Sequence, residues 1–154
     1  MSTAFKINDP KGLYFVTLTI TDWIDLFTRD HNRRIVIDAL DYCRKNKGLG
    51  IWSYVIMTNH IHLIVNASSS LSDIIRDFKR HTTKQLLASV KNEVESRRSW
   101  MLNAFSIAGQ VENRDDVSHK IWISDNHPIE LESGKLFFKK WDIYMKSSSG
   151  WICR

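Results

Sequence analysis

Two apolar runs separated only by Thr58-Asn59 constrain the fold of this chain more than any other feature. Ile51 to Met57 and His60 to Val65 are rich in β-branched and apolar residues, contain no glycine or proline, and show no helical period. Two strands joined by two residues form a tight antiparallel hairpin. Successive side chains of a strand point to opposite faces. His60 and His62 therefore share one face, and Ile61, Leu63 and Val65 point the other way into a core. Two imidazoles aimed side by side are half of a metal site; they are equally a solvent-facing pair with no role, and the pattern alone leaves both readings open.

The remaining periodicities place this hairpin in a larger order. Leu13 to Ile20 alternates Tyr14, Val16, Leu18 and Ile20 with Phe15, Thr17 and Thr19, which predicts a strand. Arg33 to Lys47 sets Val36, Leu40 and Cys43 on one helical line, closed by Gly48 and Gly50. After the polar loop Asn66 to Ser70, Ser70 and Asp73 resemble a capping box. The helix that follows has Leu71, Ile74, Ile75, Phe78, Thr82, Gln85 and Leu86 as its inner stripe. Residues 92–120 are least readable and suggest a helix extension and then a long loop. Ile121 to Ile123 reads as a last short strand, and Ser133 to Met145 as a final helix with Phe137, Trp141 and Tyr144 on one side. The order is that of an α+β ferredoxin-like fold, β-α-β-β-α-β, with an antiparallel sheet, helices on one face and an added C-terminal helix. His60 and His62 fall on the free face.

A chain of 154 residues fits one domain with one sizeable core, spanning 1–154. Its 43% hydrophobic and 25% charged residues argue against disorder as a whole. A net charge of +5 permits nucleic-acid binding without requiring it. The only cysteines, Cys43 and Cys153, are too far apart to organise a disulfide framework or a zinc ribbon. Met1 to Lys6 lacks the long apolar core of a signal peptide, and no stretch approaches membrane-spanning length. These features suggest a reduced, cytoplasmic protein.

Several His-x-His chemistries do not fit. Metallo-β-lactamase-like sites need an Asp-His downstream in the same motif, where Leu63 and Ile64 stand here. Amidohydrolase barrels need about 250 residues. Arg76, Lys79, Arg80 and Lys84 recur along the second helix as one basic stripe, either a solvated face or a phosphate-binding one. Six tryptophans serve either as core or as base-stacking platforms. Together the histidine pair, the cations and the aromatics favour phosphodiester chemistry, with a metal polarising a non-bridging oxygen and Arg or Lys holding the backbone.

Four stretches then carry a family resemblance: Tyr14-Phe15-Val16-Thr17-Leu18-Thr19, Val55 to Ile64 with its Asn59-His60-Ile61-His62-Leu63 run, Arg76-Asp77-Phe78-Lys79, and a tyrosine in a C-terminal helix. Over residues 13–145 the chain resembles the single-tyrosine HUH transposases, and among them the REP-associated tyrosine transposase branch. The resemblance implies a ferredoxin-like fold and a divalent ion, Mg²⁺ or Mn²⁺, on His60 and His62. It implies single-stranded DNA with hairpins at terminal or palindromic repeats as substrate. It also implies a tyrosine nucleophile that leaves a 5′-phosphotyrosine and a free 3′-OH, so that rejoining needs no external energy source. Imidazole favours softer ions than Mg²⁺, which makes Mn²⁺ the better match. Tyr144 occupies the place of the family's tyrosine; spacing alone also fits it as core beside Phe137 and Trp141. Arg76, Lys79, Arg80 and Lys84 are the candidate DNA-binding residues.

The sequence departs from the family after Tyr144. Relatives carry His and then Asn-Pro-Val, whereas Met145-Lys146-Ser147-Ser148-Ser149-Gly150 follows here. Ser148 stands where an Asn or Gln side chain helps the metal, and the chain ends at Arg154, so the C-terminal region reads as shortened. Two functions are therefore expected: a metal-dependent transposase that cleaves and rejoins DNA, or a transposase-derived protein that binds hairpin DNA without cleaving it. A metal-binding fold with a merely solubilising basic stripe is a weaker third. A small sheet with an open edge also permits a homodimer.

Overall fold

The computed structural model describes residues 7, 9, 11–111, 118–132, 138, 139 and 142, together with the backbone of 152 and 153. Strand β1 (Tyr14–Thr19) is followed by helix α1 (Asp30–Asn46), the hairpin of β2 (Leu49–Ile56) and β3 (His60–Ala67), and helices α2 (Leu71–Asn92) and α3 (Arg98–Val111). Two-residue strands β4 (Ile129–Glu130) and β5 (Ile152–Cys153) complete the sheet. Its order is β4-β1-β3-β2-β5, antiparallel throughout. The core strands β4, β1, β3 and β2 have the ferredoxin-like order expected from the sequence.

Period-two burial sets the register. Tyr14, Val16 and Leu18 of β1 and Ile61, Leu63 and Val65 of β3 join one buried cluster with Val36 and Leu40 of α1, Ile75, Phe78 and Leu86 of α2, and Met101 and Phe105 of α3. Helices α1, α2 and α3 thus cover the same face of the sheet. A slip of one residue would turn this apolar set outward, so burial itself fixes the pairing. The pairing places Thr17 opposite His62 and Thr19 opposite His60. Helix α1 closes on Gly48 at φ 72, in the left-handed region, where a Cβ would lie 2.0 Å from Ser68 Oγ.

Four expectations are corrected. Ile121 to Ile123 is not a strand: only Trp122 bridges, to Ile20, and the edge strand is β4. The apolar alternation there instead drives Trp122 between Phe27 and Phe78, with ring centroids 5.9 and 6.0 Å away, while its Nε1 donates to Thr82 Oγ1 at 2.9 Å. Gln85 is exposed, on the flank of α2 that opens toward Tyr42 of α1 rather than onto the sheet. The Ser70 hydroxyl accepts from Asp73 N at 3.3 Å, but the Asp73 carboxylate turns to Arg76 at 2.7 Å, so only half of the capping box forms. Finally, α2 is not extended through the nineties. Glu93 is extended, and Arg98 donates to the carbonyls of Val90 at 3.0 Å and Glu93 at 2.6 Å, ending one helix and starting another. The expected helix Ser133–Met145 lies mostly outside the described residues; Phe138, Lys139 and Asp142 within it are helical. Among the described residues no helix is long and apolar enough to cross a membrane.

The joint between α2 and α3 is charged and buried. Glu95 accepts from Arg97 N and Nε at 3.0 Å each, and Arg29 Nε lies 3.5 Å away. These cations and hydrogen bonds hold its carboxyl near a pKa of about 2, against 4.5 ordinarily. A depressed carboxylate pKa adds stability that is complete above the ordinary value and disappears as pH falls through the folded one. Urea unfolding should therefore show this stability intact at pH 7 and draining between about pH 4.5 and 2. Glu95→Gln should cost roughly 1–3 kcal/mol at pH 7 and flatten the acid slope. An unchanged slope would exclude the Glu95 assignment.

Candidate metal and phosphate site

The site grows out of the β2–β3 turn. The turn is pinned from outside the hairpin: Ile20 N donates to Asn59 O at 2.9 Å and Phe27 N to Thr58 O at 2.8 Å. The Asn59 side chain adds a second anchor, its Nδ2 donating to Trp23 O and to Asp25 Oδ1, each at 3.2 Å. Both partners are acceptors only, so the amide nitrogen must face them. Oδ1 is thereby turned to His60 Nδ1, 2.7 Å away, which must carry the proton. The Nε2 lone pair of His60 is left pointing along the sheet, and it meets His62 Nε2 at 3.0 Å.

His62 is fixed from its other side. Its Nδ1 lies 3.1 Å from Thr17 Oγ1, the cross-strand neighbour given by the register. Phe15 stacks on its ring at 5.2 Å, and the ring is buried, whereas His60 is partly exposed. The face bearing the pair is therefore not bare. Phe15, Ile64 and Leu131 form a small second apolar cluster there, so the expectation of a wholly free face is met only toward His60. Burial holds His60 below the ordinary imidazole range, which keeps it neutral and fit to donate a lone pair near pH 7.

The geometry fits a divalent ion. Two nitrogens about 2.1 Å from one ion at right angles stand ~3.0 Å apart, the cis separation of an octahedral site. With an ion bound, both rings carry Nδ1–H. His60 then donates to Asn59 and His62 to Thr17, the outer-sphere partners that orient metal-binding imidazoles. Among the described residues no third His, Cys, Asp or Glu joins them, so the pair offers an open site whose other positions remain for water or phosphate oxygens.

The other sequence-predicted residues lie elsewhere. Helix α2 packs on the opposite face of the sheet, so its cations and the histidine pair are in different layers. Arg76, Arg80 and Lys84 are all exposed at i, i+4 and i+8, with Arg76 paired to Asp73 at 2.7 Å and to Asp77 at 3.3 Å. Lys79 turns to Ile123 O at 2.6 Å. Tyr144 and Ser148 lie outside the described residues. Sequence reasoning missed Thr17, Trp23, Asp25 and Asn59. Thr17 was legible in principle, as the residue the register sets beside His62; Asn59 reads as a turn residue and part of the family run, with nothing in the sequence to mark it as the partner of His60.

A family model of IS200-like transposases matches residues 15–118, and the chain belongs to that family. The match contains His60, His62 and α2 and stops short of Tyr144. Among solved structures, a REP-associated tyrosine transposase bound to a REP hairpin superposes with a TM-score of 0.58 at 16% identity, over 95% of this chain and 72% of that one. That likeness is one of fold. A candidate transposase from Deinococcus radiodurans R1 gives 0.49 at 12% identity, over 88% and 90% of the two chains. No curated protein matches the chain.

The Asn59–His60 hydrogen bond makes a prediction about ion binding. Titrated with Mn²⁺ and followed by the electron paramagnetic resonance of the free ion, Asn59→Ala should bind roughly 10–100-fold more weakly than wild type. His60→Ala should lose the site. Equal affinity of Asn59→Ala and wild type would show that the amide does not orient the ring.

Proposed function

We propose that this chain is a metal-dependent single-stranded DNA transposase that cleaves and rejoins DNA at hairpin or repeat ends. The observation that carries the reading is the convergence of His60 Nε2 and His62 Nε2 at 3.0 Å in a chain of a transposase family. A divalent cation held there, Mn²⁺ or Mg²⁺, would draw charge from a non-bridging oxygen of the scissile phosphate. Every other part belongs to the chain. Asn59 holds His60 as the Nδ1–H tautomer, and the Thr17 hydroxyl can accept from His62 Nδ1–H once an ion takes the place of the proton between the two Nε2 atoms. Phe15 and the Ile64 cluster keep water from the buried side of His62. Tyr144 is the proposed nucleophile, from its place in the sequence. Its hydroxyl oxygen gives up its proton and bonds to phosphorus as the bond to O3′ breaks. The departing oxygen takes up a proton to become a 3′-OH, and the 5′ end stays on the tyrosine. The reverse attack by a 3′-OH restores the tyrosine and joins the strands.

The placement of the α2 cations supports a second element of the reading. With the sheet between them and the histidines, Arg80 and Lys84 would hold a different segment of the DNA from the scissile phosphate. The neighbour of known structure that holds a REP hairpin makes hairpin DNA the natural ligand to try. A cytoplasmic site of action belongs to the same reading, and the free, buried thiol of Cys43 is consistent with it. Ser148, where relatives carry an amide, favours a second reading in which hairpin DNA is bound and not cut.

One assay divides these readings. Incubation with hairpin-containing single-stranded DNA and Mn²⁺ should give a covalent protein–DNA band on a denaturing gel, lost in Tyr144→Phe and in His60→Ala. Binding without any adduct would establish the second reading, and absence of both would end the DNA assignment. In the same system Arg80→Ala with Lys84→Ala should weaken binding and reduce the salt slope by about two. The rate of adduct formation at saturating DNA should be unchanged.

A further inference from the structure

Beside the histidine pair stands a large aromatic side chain that the core does not use. Trp23 is 61% exposed, although its neighbours Thr21 and Ile24 are buried. Its ring meets His60 edge-on, with centroids 5.8 Å apart and planes inclined at 69°. Its backbone is also unusual. Asp22 and Trp23 both adopt left-handed conformations, φ 53 and 55. For a bulky side chain that region is a genuine outlier, populated only where the surroundings impose it, and such residues cluster at functional sites. Here the surroundings can be named. Trp23 N donates to Ile20 O at 3.1 Å, and Trp23 O accepts from the Asn59 amide that orients His60.

The same hydrogen bonds that orient the metal-side imidazole therefore also hold an exposed indole next to it. The electrostatics narrow what the indole can receive. Asp22 and Asp25 flank it with exposed carboxylates, which repel a phosphate but not the uncharged face of a base. Stacking on a fixed aromatic ring is the general means by which unpaired bases are held, and it is sequence-tolerant.

We propose that Trp23 is the platform on which an unpaired base adjoining the phosphate at His60 and His62 stacks, setting which phosphate lies at the pair. The inference rests on the DNA reading above and adds to it a positioning residue and its ligand, a single-stranded nucleobase. Trp23 acts by fixing the strand; it does not touch the reacting atoms.

The test uses the full chain, Mn²⁺ and a fluorescent DNA hairpin with a ten-nucleotide single-stranded flank, selected by the wild-type protein from a pool randomised in that flank. Derivatives carrying one abasic site at each flank position are then compared by anisotropy. One position, or two adjacent ones, should weaken wild-type binding by roughly 10–100-fold when abasic. Trp23→Ala should weaken the intact DNA by a similar factor and be indifferent to those abasic sites, and Trp23→Phe should restore most of the affinity. Trp23→Gly relieves the left-handed backbone, so it should lose the same DNA affinity with an unchanged or raised Tm, which separates a missing platform from a damaged fold. Abasic sensitivity retained in Trp23→Ala, or wild-type affinity in that variant, would overturn the platform alone. Failure of the wild-type protein to select any hairpin would overturn the DNA reading and the platform with it.

Discussion

Strand β3 is hydrogen-bonded on both sides, and everything else in the molecule is arranged around its two faces. Ile61, Leu63 and Val65 enter the core that α1, α2 and α3 share, while His60 and His62 face the other way. The two sets are inseparable, because a strand has only one register in which the apolar residues are buried. A rigid, doubly paired strand also holds side chains more steadily than a loop does, and a metal site needs its ligands held to a fraction of an ångström. Burial of the core thus positions the imidazoles.

What the strand cannot fix is the rotation of each ring or the tautomer of His60. The rotations come from the turn and from β1, Asn59 on one side and Thr17 on the other, and Asn59 also sets the His60 tautomer. Asn59 in turn takes its orientation from Trp23 and Asp25, 36 and 34 residues away. The strained turn after β1, the hairpin tip and the histidine pair are therefore one hydrogen-bonded unit. A substitution at any of them should be felt at the Nε2 atoms, even where it touches no ligand.

This division explains what could be read in advance. The hairpin, its facing and the ferredoxin-like order were legible because period-two burial leaves a direct trace in the residue pattern. Strand β4 was not, since two residues carry no period, and Trp122 imitated a strand while serving as a core wedge. The break between α2 and α3 was hidden because Arg98 caps carbonyls that no local pattern marks. At the site, the shared face of the two histidines was legible from spacing, but the orientation of their rings was not, because it depends on Thr17 and, through Asn59, on Trp23 and Asp25, which come from distant segments. The separation of the α2 cations from the histidines was implied once helices and histidines were set on opposite faces. Helical spacing shows only which residues share a side, and even there Lys79 departs from the others to bind Ile123 O.

The turn and β1 bring the Nε2 atoms of His60 and His62 to one point, where an ion can replace the proton between them. Long-range ¹H–¹⁵N spectra of the histidine rings test this arrangement most directly, with and without a diamagnetic divalent ion such as Zn²⁺. His60 should be the neutral Nδ1–H tautomer near pH 7 before any ion is added. On titration with the ion, the Nε2 resonances of His60 and His62 should move together. A His60 ring found as Nε2–H, or an ion that moves one ring and leaves the other, would contradict this arrangement.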